Sequence, residues 1–134
     1  PLIAVSSLQL LAAGVKDQAE GVIIPLIDAR RDEVYAGYYD PKLNPIRAEQ
    51  ALILQPNCFN DLVEPNKKII LTGNGASKTL PIVDSKDFFL IESKHPEKNL
   101  ALITYEKFCN RELVDLAYYE PVYLKEFYMT AKDR

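Results

Sequence analysis

Between residues 24 and 40 the chain reads IPLIDARRDEVYAGYYD, which sets Asp28, Arg30, Arg31, Asp32 and Glu33 close together between two apolar runs. Carboxylates and guanidiniums at this spacing could supply a general acid, a general base and an anion clamp within one turn. The same residue types are what turn chemistry favours at the solvated tip of a hairpin, where nothing reacts. Which reading holds depends on what else the chain brings to the turn.

The other chemistry-bearing residues are sparse. Gly73-Asn74-Gly75 follows an apolar run and opens a helical stretch, a junction similar to the one at which actin-like domains meet the adenosine of a nucleotide and one where many α/β proteins need glycine for conformational reasons alone. His95 precedes Pro96 at an expected helix start, which suits a loop or cap residue better than a metal ligand or catalytic base. Cys58 and Cys109 stand far apart with no CxxC or Cys/His cluster, so neither a zinc site nor a disulfide framework is indicated. No metal and no cofactor is expected.

Tyr35, Tyr38, Tyr39, Tyr118, Tyr119 and Tyr123 could form a stacking platform for bases. A net charge of -3 and a pI near 5.2 withhold the basic field that such a platform needs to gather phosphates. Packing in the core and in a tail strap is therefore the expectation for these rings, and any contact with RNA would have to come through a partner or a local patch.

The elements that must position these residues follow from patterning. At 134 residues, 48% hydrophobic and 26% charged, the chain suits one globular domain with a real core. Ser6 and Gln9 form a capping box, and Leu8, Leu11, Ala12 and Val15 follow at helical spacing, with Gly14 near the end. Residues 21–28 are apolar and β-branched, while 33–40 alternate with Val34, Ala36 and Tyr38 on one face. These are two strands of a hairpin, with Pro25 favouring an edge or a bulge.

A third strand is expected over 46–54, then a short helix from Pro56 with Phe59, Leu62 and Val63 inward. Further strands are expected at 67–72 and 88–91, a helical turn or two at 76–80, and a helix over 96–109 with Leu100, Ile103, Tyr105 and Phe108 available for the core. Pro121 interrupts the tail, which reads as an extended strap over 115–125. No apolar run approaches the roughly 20 residues of a membrane span, so no membrane partner and a cytoplasmic location are expected. Pro1-Leu-Ile-Ala-Val5 reads as a strand end with nothing before it, the mark of a fragment.

After the first helix the expected order is βββαβαβα, the pattern of a ribonuclease H-like domain of the actin-like ATPase superfamily, a mixed five-stranded sheet with flanking helices. Four stretches sharpen this: PLIAVSSLQLLA at 1–12, IDARRDEVYAGYY at 27–39, LTGNGA at 71–76 and EPVYLKEF at 120–127. In their order and across nearly the whole chain they resemble the TsaB (YeaZ) family, bacterial subunits for making threonylcarbamoyladenosine in tRNA. The resemblance implies that this chain is the C-terminal domain of a two-domain protein, with residues 1–20 linking from the first domain and 21–134 forming the second.

The resemblance further implies a non-catalytic subunit that supports a TsaD-type enzyme and works with a TsaE-type ATPase. In the family the TsaD contact is made largely by helices of the first domain, so this chain by itself should bind such a partner weakly. Lys125 stands where the family often shows Arg. In working kinases of the superfamily the first hairpin of the second domain carries glycines that admit phosphates to backbone N–H groups. Here that hairpin is glycine-free, as though a phosphate loop had lost its role. On this reading Asp28 caps donors in the turn, and Arg30 or Arg31 pairs with Asp32, Glu33 or a neighbour. The alternatives are an actin-fold nucleotide hydrolase, a glycoprotease-type peptidase, and an interaction domain that self-associates through an exposed apolar face.

Overall fold

A computed structural model describes residues 1–125. Helix α1 (Ser7–Ala13) begins where the capping pattern places it, with the Ser6 hydroxyl accepting from the N–H groups of Leu8 and Gln9 at 3.1 and 3.3 Å. The strands are β1 (Ile23–Asp28), β2 (Glu33–Tyr39), β3 (Pro45–Ile53), β4 (Ile69–Thr72) and β5 (Phe88–Leu90), followed by helix α2 (Pro96–Cys109). They form one five-stranded sheet in the order β3-β2-β1-β4-β5. The first three strands are antiparallel, and β4 and β5 add in parallel. This is the ribonuclease H-like sheet expected from the element order.

The alternation along β2 decides the two faces. Val34, Ala36 and Tyr38 enter one cluster with Leu26, Phe59, Leu71 and Phe88, while Tyr39 enters a second with Leu8, Ala12, Val15, Ile23 and Ile70. Both faces of β2 are covered, and α1 belongs to the same packed body as the sheet. Burial of such side chains, at about 25 cal/mol per Å² of apolar surface, is the main driving force holding the layers together.

Three expectations are corrected. Pro25 lies in the central strand rather than at an edge, fully buried and level with Thr72 of β4. It is tolerated because Gly37 on β2 leaves room for its ring: a Cβ there would lie 3.2 Å from the Pro25 Cγ. The irregularity that Pro25 suggested falls on the neighbouring pair, where the β2–β3 register shifts twice between Ala36 and Tyr39.

The connections after β3 and β4 are 3-10 helices, Asn60–Leu62 and Ala76–Ile82, where α-helices were expected. Pro81 lies inside the second, and Pro56, Pro65 and the left-handed Asn57 and Asn66 bracket the first, so neither stretch sustains i→i−4 bonding.

Helix α2 buries Ile103, but Leu100, Tyr105 and Phe108 are exposed rather than in the core. The helix packs against α1 instead of lying on the sheet, so its outer apolar side meets solvent. The tail over 115–125 is non-helical, as expected, and touches the body through Leu124 and Lys125 while Leu116, Tyr118, Val122 and Tyr123 are exposed. The tyrosines thus divide into core rings on β2 and exposed rings on the tail. The last two residues of the EPVYLKEF stretch lie outside the described residues.

Candidate functional site

The charged hairpin joins β1 to β2 and sits against the turn that follows β4. Its tip closes through Ala29 N–H to the Glu33 carbonyl at 3.2 Å and Glu33 N–H to the Arg30 carbonyl at 3.0 Å. Arg31 takes the left-handed conformation, φ 55°, that glycine would adopt at less cost. The fold brings all of the expected site residues to one end of the sheet.

Gly73 is required there by two facts. Its φ is +96°, and a Cβ on it would stand 2.2 Å from the Leu26 carbonyl oxygen. The same carbonyl accepts the Gly75 N–H at 2.9 Å, and Asn74 Oδ1 accepts the Asp28 N–H at 2.8 Å. The Gly73-Asn74-Gly75 turn is thereby fastened edge-on to the end of β1.

Lys78, which the sequence did not single out, is the centre of the cluster. Its ammonium pairs with the Asp28 carboxylate and donates to the carbonyls of Arg31 and Glu33 at 2.6 and 3.2 Å. All three of its donors are thus used. Lys125 of the tail pairs with Glu33 at 2.6 Å, through a point-charge ammonium in place of the guanidinium fork that can grip a carboxylate twice.

Two expectations about charge partners are corrected here. Asp28 does not cap donors in the turn: its carboxylate takes the Lys78 ammonium and its own N–H goes to Asn74. The partners of the hairpin carboxylates are lysines, and among the described residues the side chains of Arg30, Arg31 and Asp32 make no hydrogen bond or ion pair. The reason is reach. Lys78, on the 3-10 helix after β4, reaches Asp28 and the hairpin carbonyls, while Arg30 and Arg31 at the tip are exposed.

Chemically, the hairpin is closed at its base and open at its tip. The N–H groups of Asp28, Ala29 and Glu33 are bonded internally and a cation from the protein itself lies among its carbonyls, while the N–H groups of Arg30, Arg31 and Asp32 have no acceptor among the described residues. A phosphate loop needs open N–H groups facing an empty cradle. Among the described residues no group of three or more His, Cys, Asp or Glu side chains gathers in a way that could hold a metal ion. His95 is the left-handed N-cap residue of α2 and belongs to no such group.

A second polar cluster lies at the other end of β2, and sequence reasoning missed it. The Ser6 and Tyr39 hydroxyls both donate to Oε1 of Glu49 on β3, so one half-buried carboxylate ties the N-cap of α1 to the middle strands. Burial raises the Tyr39 pKa well above the ordinary phenol value, and the Glu49 carboxylate beside it adds to the rise. Glu49 lines a groove of about 710 Å³ with Gln9, Lys42, Asn44 and Lys107. The groove is open and its charges are mixed.

No protein-family model matches the chain. It is 30% identical to the tRNA threonylcarbamoyladenosine biosynthesis protein TsaB of Bacillus subtilis over 93% of its own length and 56% of that protein. A solved structure described as an uncharacterized protein with similarity to peptidase YeaZ, from Pseudomonas aeruginosa, matches 93% of this chain with a TM-score of 0.70 at 27% identity. YeaZ from the same organism matches 92% with a TM-score of 0.70 at 25% identity. In both, the chain covers 59% of the solved protein, and it spans little more than half the length of the curated relative.

Proposed function

We propose, from the premise that this chain belongs to the TsaB (YeaZ) family over about 93% of its length, that it serves threonylcarbamoyladenosine formation in tRNA as a non-catalytic subunit. Its partners on this reading are a TsaD-type catalytic subunit and a TsaE-type ATPase, with tRNA met through them, in the cytoplasm. One observation carries the non-catalytic part: Asn74 Oδ1 takes the Asp28 N–H, a donor that a phosphate would need, and the Lys78 ammonium is committed to Asp28 and to the hairpin carbonyls. A glycine-free hairpin whose nearest cation is already committed offers little differential stabilisation to a transferring phosphoryl group. A metallopeptidase reading lacks, among the described residues, a group of His, Cys, Asp or Glu side chains that could hold the metal.

The test is reconstitution with TsaD-type and TsaE-type proteins and unmodified tRNA, with modified adenosine quantified by mass spectrometry. Addition of a hybrid in which this chain replaces the matched part of the Bacillus subtilis protein should raise product, and Asp28→Ala or Glu33→Ala in it should leave the yield within about twofold, since neither is asked to supply transition-state stabilisation. Product yield unmoved by the hybrid, or nucleotide or peptide hydrolysis by this chain that Asp28→Ala abolishes, would overturn the reading.

A further inference from the structure

We propose, independently of the family reading, that the groove beside Glu49 binds a small zwitterion, with a primary ammonium at Glu49 and Glu106 and a carboxylate at Lys42. The groove holds about 710 Å³, within the range of small-molecule sites, and lies at the end of β2 opposite the charged hairpin. Gln9 of α1, the turn before β3, the first half of β3 and the second half of α2 wall it. Tyr39 and Ile103, both buried, form its floor.

Most charges along the groove are already committed. Lys107 pairs with Glu112 at 3.3 Å, and Arg47 with Asp61 at 2.6 Å. Three groups are left over. Oε2 of Glu49, the Glu106 carboxylate and the Lys42 ammonium make no hydrogen bond or ion pair among the described residues.

That remainder selects the ligand. A phosphate or nucleotide would bring two or more negative charges to a place that holds two uncommitted carboxylates and one lysine, and would be repelled. An apolar ligand would cover the half-buried Glu49 without giving Oε2 a donor, which costs free energy. A metal ion finds no group of three or more ligating side chains among the described residues. A molecule with one cationic and one anionic end satisfies all three leftover groups, and its carbon skeleton can lie on Tyr39 and Ile103.

Glu49 is a fixed anchor. The Ser6 and Tyr39 hydroxyls both donate to Oε1, which holds the carboxylate in place and leaves the lone pairs of Oε2 for a ligand. Burial and the carboxylate itself raise the Tyr39 pKa, so the phenol remains a donor across neutral pH. At the other end Lys42 stands on a turn closed by Asp40, whose carboxylate accepts the N–H groups of Lys42 and Asn44 at 2.8 and 2.9 Å. Asp40 is thereby used within the turn.

The experiment is an amide-shift titration of this chain by NMR with ω-amino acids from glycine to 6-aminohexanoate. Hexylamine, hexanoate and inorganic phosphate serve as single-ended probes. One member of the series should saturate with a dissociation constant below about 1 mM, shifting amides of Gln9, 42–49 and 103–107, and each single-ended probe should bind at least about tenfold more weakly. Glu49→Gln should weaken the zwitterion at least about tenfold. Lys42→Met should do the same while leaving hexylamine affinity unchanged, a separation that loss of structure would not produce. It lies on an exposed turn, and it decides the matter if Glu49→Gln does not fold.

No saturation by any member of the series at about 20 mM overturns the proposal. So does zwitterion affinity unmoved by either variant. Hexylamine bound as tightly as the best zwitterion would reduce the groove to a plain cation site, and hexanoate or phosphate bound as tightly would make it an anion site; both results overturn the assignment.

Discussion

The two ends of β2 carry similar chemistry and use it differently. At Glu33 the strand meets a hairpin of five charged residues, most of them solvated, held by lysines that arrive from elsewhere in the chain. At Tyr39 it meets one carboxylate, Glu49, half-buried and fixed by two hydroxyls. Hydrogen bonds to a charged group away from water are worth about 1.5–3 kcal/mol each, while exposed ion pairs contribute about 0–1. The conspicuous cluster is therefore the less important one for stability, and what fixes the hairpin end is a glycine backbone contact beneath the charges.

The comparison can be broken most directly at that contact. Gly73→Ala forces an unfavourable φ and a clash with the Leu26 carbonyl, and should destabilise by about 3 kcal/mol or more in denaturant unfolding. A loss below about 1 kcal/mol would mean that the hairpin end is held by its charges after all.

Glu49→Ala should cost about 2–3 kcal/mol, because it leaves the Ser6 and Tyr39 hydroxyls without their acceptor and frees the start of α1. Tyr39 gives this end a pH signature. The folded state holds the phenol proton more tightly than the unfolded chain, so the contribution is complete below the ordinary value of 10.0 and is lost as pH rises above it. Tyr39→Phe should reduce the alkaline slope in urea midpoints and leave the part due to Tyr38, whose phenol burial also raises; an unchanged slope would refute the role of Tyr39.

Lys78→Met retains most of the aliphatic stem and removes the ammonium. A loss of about 1–2 kcal/mol is expected, with faster amide exchange confined to residues 28–33. The smallest effect is reserved for the tip: Arg30→Ala should fall within about 0.5 kcal/mol of the parent in the same assay, since its guanidinium has no partner among the described residues. A larger loss would show that the hairpin charges are structural.

Local signals carried the strands, α1 and α2 to within a few residues of their observed ends, because alternation along 33–39, the Ser6 cap and Pro96 at a helix start each act over one or two turns of chain. The family stretches and the absence of glycine from the hairpin were also legible, since both are statements about residue identity. The hairpin's place beside Gly73-Asn74-Gly75 was not a property of either segment, and Lys78 had no spacing that could announce it. Its role exists because β4 lies parallel to β1 and delivers the following 3-10 helix under the turn.

The same holds for Glu49, which is one charged residue in an unremarkable strand until β3 pairs with β2 and α1 settles on the sheet. Pro25 at the centre and Leu100, Tyr105 and Phe108 at the surface went against local expectation for a matching reason. Whether a side chain is buried depends on what packs over it, and partners at long sequence separation are chosen by the topology of the whole sheet.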